Sequence, residues 1–433
     1  MKVTQSFLQV FQRRKMAALL LLGFSSGLPL FLTSRTLQAW MTTEQVSLTA
    51  VGAFSLVSVP YSLKFLWSPF LDRFTLPLLG RRRGWLVVTQ VGLLLAIAAM
   101  ALQKPTQALQ WLAINALLIA FLSATQDIAA DAYRTDVLEE REMGAGAAVF
   151  VLGYRVALLV TGALALILAD HLSWPVVYLL LSGLMGIGLL AAIWAPEPRL
   201  IDQPPQSLSD AIRLPLIEFF HRQGQFRGGF ILLFIVLFKL GDALVNNMAT
   251  PFLLATGFTQ TDIGTIQGGM GLLATIVGVL VGGAILSKIG IHRALWIFGG
   301  VQACSNLSYF ALAQVGQNYP LMVSAINVEN FSGGLGTAAF VAFLMSLCNQ
   351  RFSATQFALL SSLMAVSRDI LVAPAGRLVE ITGWPLVFSD FSPGGDAWVI
   401  AVTSICPVAF PAPEARTSDG RGWVIPTDPT IHP

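Results

Sequence analysis

The chain has 433 residues, 55% of them hydrophobic and 11% charged, with a formal net charge of +3. A soluble domain carries about 25% charged residues, so this composition excludes one and marks a membrane protein. The basic residues follow loops and form no single face, which argues against nucleic acid, and Cys304, Cys348 and Cys406 give neither metal-ligand spacing nor a disulfide framework.

Apolar runs of ~20 residues recur, each long enough to cross a ~30 Å hydrocarbon core. Lys2, Arg13, Arg14 and Lys15 precede the first run, which is too long for a signal-peptide core, so an uncleaved first helix is expected. The predicted spans are 16–38, 50–69, 84–103, 109–133, 146–168 and 174–195, then 229–255, 262–287, 293–314, 319–347 and 353–377. With a cytoplasmic N-terminus, the arginines and lysines concentrate in the cytoplasmic loops, as the positive-inside rule requires. The chain therefore divides into an N-terminal half, 1–195, a cytoplasmic central loop, 196–228, a C-terminal half, 229–387, and a tail, 388–433.

Weak internal similarity supports two repeats: "GLPLFLTSRTLQAWMTTEQVSLTAVG" parallels "GDALVNNMATPFLLATGFTQTDIG", and "FVLGYR" ending at Arg155 parallels "LMAVSR" ending at Arg368. Two parallel repeats around a midplane cavity resemble the plan of the major facilitator superfamily, an all-α polytopic fold. A twelfth helix is expected near Trp384, yet residues 388–433 hold seven of the 22 prolines. The tail reads as a missing or degenerate helix, as a truncated or frame-shifted end would.

"WSPFLDRFTLPLLGRRRG" joins the second and third helices. Asp72 and Arg73, with Arg81, Arg82 and Arg83, form an expected cytoplasmic latch in which the arginines find carboxylates such as Asp136 on the fourth helix. Ordinary positive-inside charge would not need an acid beside the cluster. Charges inside the membrane are costly unless paired or facing water. From the rise of ~1.5 Å per residue, Arg155 and Lys239 lie ~15 Å into their helices, near midplane. Asp242 can pair with Lys239, Glu329 lies ~14 Å into the tenth helix, and Arg368 and Asp369 lie on the eleventh. Lys64 near the end of the second helix could snorkel.

"SATQDIAADAYRTDVL" places three acids on one helix, Asp127 and Asp131 one turn apart and Asp136 at its end. His171, His221, His292 and His432 all fall outside the apolar runs, so proton coupling would need a carboxylate: Asp127, Asp131, Asp242, Glu329 or Asp369. "GFSSG" and "GLGTAA" match a nucleophile elbow and a dinucleotide fingerprint, but without the preceding strand both read as small-residue helix packing. Gly264/Gly268 and Gly278/Gly282 have helix-contact spacing too. No metal cluster or phosphate loop is evident, so an enzyme is disfavoured.

Together "GFSSGLPLFLTSRTLQAWM", "KFLWSPFLDRF", "GRRRGW", "SATQDIAADAYRTDVL", "GAGAAVFVLGYR", "FKLGDAL", "GLLATIVGVLVGG" and "RFSATQFALLSSL" resemble the AmpG-type muropeptide permeases of Gram-negative inner membranes, over residues 7 to 387. The resemblance implies proton-driven import of anhydro-muropeptides for wall recycling, with a consequence for β-lactamase induction, and no cofactor but the proton gradient. A muropeptide carries several carboxylates, so Arg155, Lys239 and Arg368 are expected anion contacts, with Gln126, Tyr61, Tyr154 and Trp40 as further substrate contacts. The expected partners are this glycopeptide and the bilayer, for a chain acting as a monomer. A related carrier for acetyl-CoA or another sugar conjugate, or an inactive scaffold, is the alternative.

Overall fold

The computed structural model describes residues 14–47, 50, 54–76, 80–107, 109–198, 205, 207–238, 240–366 and 384. The helices follow the apolar runs. The N-terminal half comprises α1 (Arg14–Thr43), α2 (Leu56–Leu66, continued by the short helix Ser68–Arg73), α3 (Arg81–Ala101), α4 (Leu109–Val137), α5 (Glu140–Ala169) and α6 (Trp174–Trp194). The C-terminal half comprises α7 (Gln225–Phe238 and Leu240–Ala255), α8 (Asp262–Ile289), α9 (Ile291–Val315), α10 (Tyr319–Ser346) and α11 (Ser353–Val366). Seven of the described helices are long and apolar enough to cross a membrane. The expected tail, 388–433, lies outside the described residues.

Three local features follow from particular residues. In α1 the helix turns at Thr33–Ser34, where the Thr33 and Ser34 hydroxyls donate to the carbonyls of Pro29 and Leu30 at 3.0 and 2.6 Å, competing with the helical ladder. The expected single span at 50–69 is a series of 3₁₀ and α segments that restart where Pro60 and Pro69 occupy first turns. The central segment carries a 16-residue linker helix, Leu208–Gln223, capped by Ser207 Oγ accepting from the Asp210 amide and turned by Gly224 at φ 79°. It buries Ala211, Pro215 and Phe219, one turn apart, against the bundle.

Helices approach closely where side chains vanish. A Cβ on Gly153 would sit 2.0 Å from the Leu20 carbonyl oxygen, and one on Gly23 2.1 Å from that of Phe150, so α1 and α5 pack backbone to backbone. Gly278 and Gly282 do the same against α10, whereas Gly264 and Gly268 face open space. Gly153→Leu is expected to lower the thermal midpoint of detergent-solubilised protein, the overpacking costing about 1–3 kcal/mol of stability. Gly186→Ala, at a position with open space, should leave it unchanged.

The apolar cores reveal the conformation. One cluster joins both halves at the end carrying Arg81–Arg83, mixing Met16, Ile128 and Phe150 with Phe298, Phe340 and Phe357. At the opposite end the halves keep separate cores, one around Leu32, Trp40 and Tyr178, the other around Phe252, Tyr309 and Met322. The halves are thus packed together at the basic end.

Candidate transport site and gate

The closed end is held by buried ion pairs. Gly80, at φ 83°, starts α3, and the Glu197 carboxylate accepts from the Arg82 and Arg83 amides at 3.2 and 3.4 Å, capping the helix. This fixes three consecutive arginines pointing different ways. Arg82 donates to Asp136 at 2.6 Å, to Asp72 at 3.0 Å and to Ser353 Oγ at 2.6 Å. Arg81 donates to Asp72 at 3.1 Å and to the Arg351 carbonyl at 2.6 Å. Asp72 completes the crossing by accepting from the Ala354 and Thr355 amides at 3.4 and 2.7 Å. A carboxylate of the N-terminal half thereby caps the first turn of α11 in the C-terminal half. Beside it Glu218 of the linker helix binds Gln356 at 2.7 Å, Asn349 at 3.0 Å and Arg222 at 2.8 Å. Burial pushes the Glu218 carboxyl up, but these donors overcome it and hold the group below the usual range.

The expected latch residues separate accordingly. Asp72, Arg81, Arg82 and Asp136 meet. Arg83 instead donates to the Ala192 carbonyl at 3.0 Å and to that of Ile193, because the next helical position turns it toward the end of α6. Arg73 lies over the Phe74 ring at 5.6 Å and joins no ion pair among the described residues.

Above the latch, α4 carries its acids between α1 and α2. Asp127 is half-buried, with Ser26 and Lys64 facing its carboxylate. Asp131, one turn nearer the latch, pairs with Lys64 at 3.5 Å and with Arg134 at 2.7 Å. Gln126 is fully buried and donates toward Ser25 and Ser26 at 3.4 Å, while Gln90 donates to Ser25 at 3.1 Å. Tyr61 faces Asp127, with Tyr154 near it.

Arg155 occupies a distinct position. On α5, Gly144 and Ala148 meet Gly283 of α8, and Val151 packs with Val279 and Ala338 of the C-terminal half. One turn further along the same face comes Arg155. It is half-buried and makes no hydrogen bond or ion pair among the described residues. A cation is thus presented between the halves with no counter-ion among the described residues.

In the C-terminal half, Asn246 donates to Asp242 at 3.1 Å and to Glu329 at 3.3 Å. Asn330 donates to Glu329 at 3.1 Å and accepts from Thr275 at 3.0 Å, so the polar chain ties α7, α10 and α8. Lys239, Arg368 and Asp369 lie outside the described residues. Trp40 does not reach this region: it is 2% exposed, stacked on Trp174 and packed against Tyr178 at the far end, so no ring face is open to a sugar.

Sequence reasoning missed Glu197, Glu218, Gln356 and the Lys15–Glu142 ion pair between the starts of α1 and α5. The helix start "RFSATQ", with polar residues in its first turn, was the available signal for a capping partner of Asp72.

Two helical halves, polar groups between them, and a latch that closes one end only define a secondary transporter built for alternating access. The chain belongs to the Major Facilitator Superfamily, which residues 17–372 match, and within it to the AmpG-type permeases. It is 50% identical, over 384 residues covering 88% of this chain and 78% of the relative, to the anhydromuropeptide permease of Escherichia coli K12. An uncharacterized Haemophilus influenzae protein is 40% identical over 87% of this chain and 90% of its own length. The crystal structure of the human organic anion transporter TETRAN has the same fold, with a TM-score of 0.67 at 14% identity, covering 90% of this chain and 98% of that one.

Proposed function

We propose that the chain imports anhydro-muropeptides, GlcNAc–anhydroMurNAc with or without a stem peptide, from periplasm to cytoplasm across the inner membrane of a Gram-negative bacterium. The observation that carries the reading is Arg155, a half-buried cation between the halves with no partner among the described residues, in a chain so similar to the E. coli permease. A peptide-bearing sugar acid supplies a carboxylate to this guanidinium. Tyr61 and Tyr154 lie on the same side and offer rings to the sugars. The basic end is cytoplasmic, as the arginine-rich loops favour, so the conformation is closed inward and accepts cargo from the periplasm. Asp127 carries the coupling proton, because it is a carboxylate beside Lys64 above the latch. Both halves lie in one chain, so a monomer suffices. The imported products feed wall recycling and, through it, β-lactamase induction.

Arg155→Ala should raise the KM for labelled anhydro-muropeptide by about 10- to 100-fold, the worth of a charge-assisted bond, with Arg155→Lys intermediate. Uptake by spheroplasts measures it; an unchanged KM would remove Arg155 from the site and, with it, the geometric support for an anionic cargo.

A further inference from the structure

We propose that Arg134 is a bolt of the closed end, clamped between an aromatic ring of each half, and that Phe357 is the part of the clamp that lets go when the end opens. The inference rests on reading the basic end as a gate, and its test does not need the substrate.

Arg134 is 3% exposed, at the end of α4. Its guanidinium carbon lies 4.5 Å from the centroid of Phe150 on α5 and 5.3 Å from that of Phe357 on α11. Asp131 binds the guanidinium at 2.7 Å, and Nε has no acceptor among the described residues. The charge is therefore met by one carboxylate and two ring faces, an arrangement worth more in a dry site than at a surface. Phe357 itself is 3% exposed in the core shared by both halves.

The partners differ in what they can report. Asp131, Lys64 and Phe150 all belong to the N-terminal half and travel with Arg134. Their contacts are alike whichever end is open, and such contacts bias nothing. Phe357 belongs to α11. When the halves part at this end, Arg134 exchanges that ring for water, so of its own contacts this one favours the closed state. Three residues upstream, Ala354 gives its amide to Asp72. The clamp and the ionic latch thus seize the same turn of the same helix, one from an apolar side and one from a charged side. Loss of both contacts together makes opening a two-state event.

A native thiol lies at the junction. Cys348 lines a cavity of about 460 Å³ with Thr135, Asp136, Met143 and Met345, and its Sγ donates to the Leu344 carbonyl. Cys348 is half-buried in the closed end, so parting of the halves there increases its access to a reagent.

The measurement is the rate of maleimide labelling of Cys348 in the purified full chain carrying Cys304→Ser and Cys406→Ser. Phe357→Leu should speed labelling about tenfold, the equilibrium shift that one lost desolvated cation–π contact supports. Phe357→Tyr, which keeps the ring, should label like the parent. Phe150→Leu should change the rate far less, since that ring never leaves Arg134. If Phe357→Leu does not fold, Arg134→Gln carries the same expectation of faster labelling. An unchanged rate in Phe357→Leu, or equal acceleration by Phe357→Tyr, overturns the clamp, the latter by reducing Phe357 to packing. Faster labelling in Phe357→Leu, alongside a parent that accumulates no muropeptide, would uphold the clamp and reject the cargo.

Discussion

Asp72→Ala is expected to abolish muropeptide accumulation and to lower the stability of the purified protein. The carboxylate is fully buried and serves four donors at once: Arg81, Arg82 and the amides of Ala354 and Thr355. Among the described residues, removing it leaves Arg81, itself 5% exposed, with only the Arg351 carbonyl, and Arg82 with Asp136 as its remaining carboxylate. Breaking one partner of a buried pair costs about 3–5 kcal/mol, far above the ~0–1 kcal/mol of a surface bridge. Much of that loss falls on the closed state, because two of the four donors come from the other half. The variant should therefore lose thermal stability and expose Cys348 together. Thermal unfolding in detergent and maleimide labelling of Cys348 measure these two, and uptake in spheroplasts measures accumulation. Stability and uptake equal to the parent would reduce the latch to incidental loop charge.

The second large effect is at Asp127. Asparagine keeps the shape and its hydrogen-bonding reach toward Ser26 but cannot carry a dissociable proton. Asp127→Asn should insert and fold normally, lose uphill accumulation, and still exchange labelled for unlabelled cargo across a vesicle wall. The dissociation of the two readouts matters. Loss of exchange as well as accumulation would make Asp127 a substrate contact, whereas accumulation at the parent level would leave coupling to Asp131, Asp242, Glu329 or Asp369.

Most of the fold was legible because each crossing must be apolar for ~20 residues, a constraint that leaves a long signal in the sequence. The resemblance to AmpG-type permeases was legible in motifs such as "SATQDIAADAYRTDVL". What the sequence hid lies where short-range periodicity stops informing. The linker helix has only Ala211, Pro215 and Phe219 as its buried stripe, and a polar window obscures it. Asp72 and Arg81–Arg83 were visible as a charged group, but their directions were not. Consecutive residues on a helix diverge by ~100°, so Arg82 enters the latch while Arg83 turns to α6. Trp40 is a candidate sugar contact only through the cargo that the resemblance implies. In the structure it is 2% exposed and stacked on Trp174, far along the chain. Asp136 belongs to the opposite case: an acid at a helix end invites a surface reading, yet it is 6% exposed and bonded to Arg82.

The central claim is uphill import of anhydro-muropeptide, and proteoliposomes holding the purified chain test it most directly. With an inward proton gradient and labelled GlcNAc–anhydroMurNAc-peptide outside, the label should concentrate inside and a protonophore should collapse it. Absence of any protein-dependent uptake, with or without the gradient, would contradict the account.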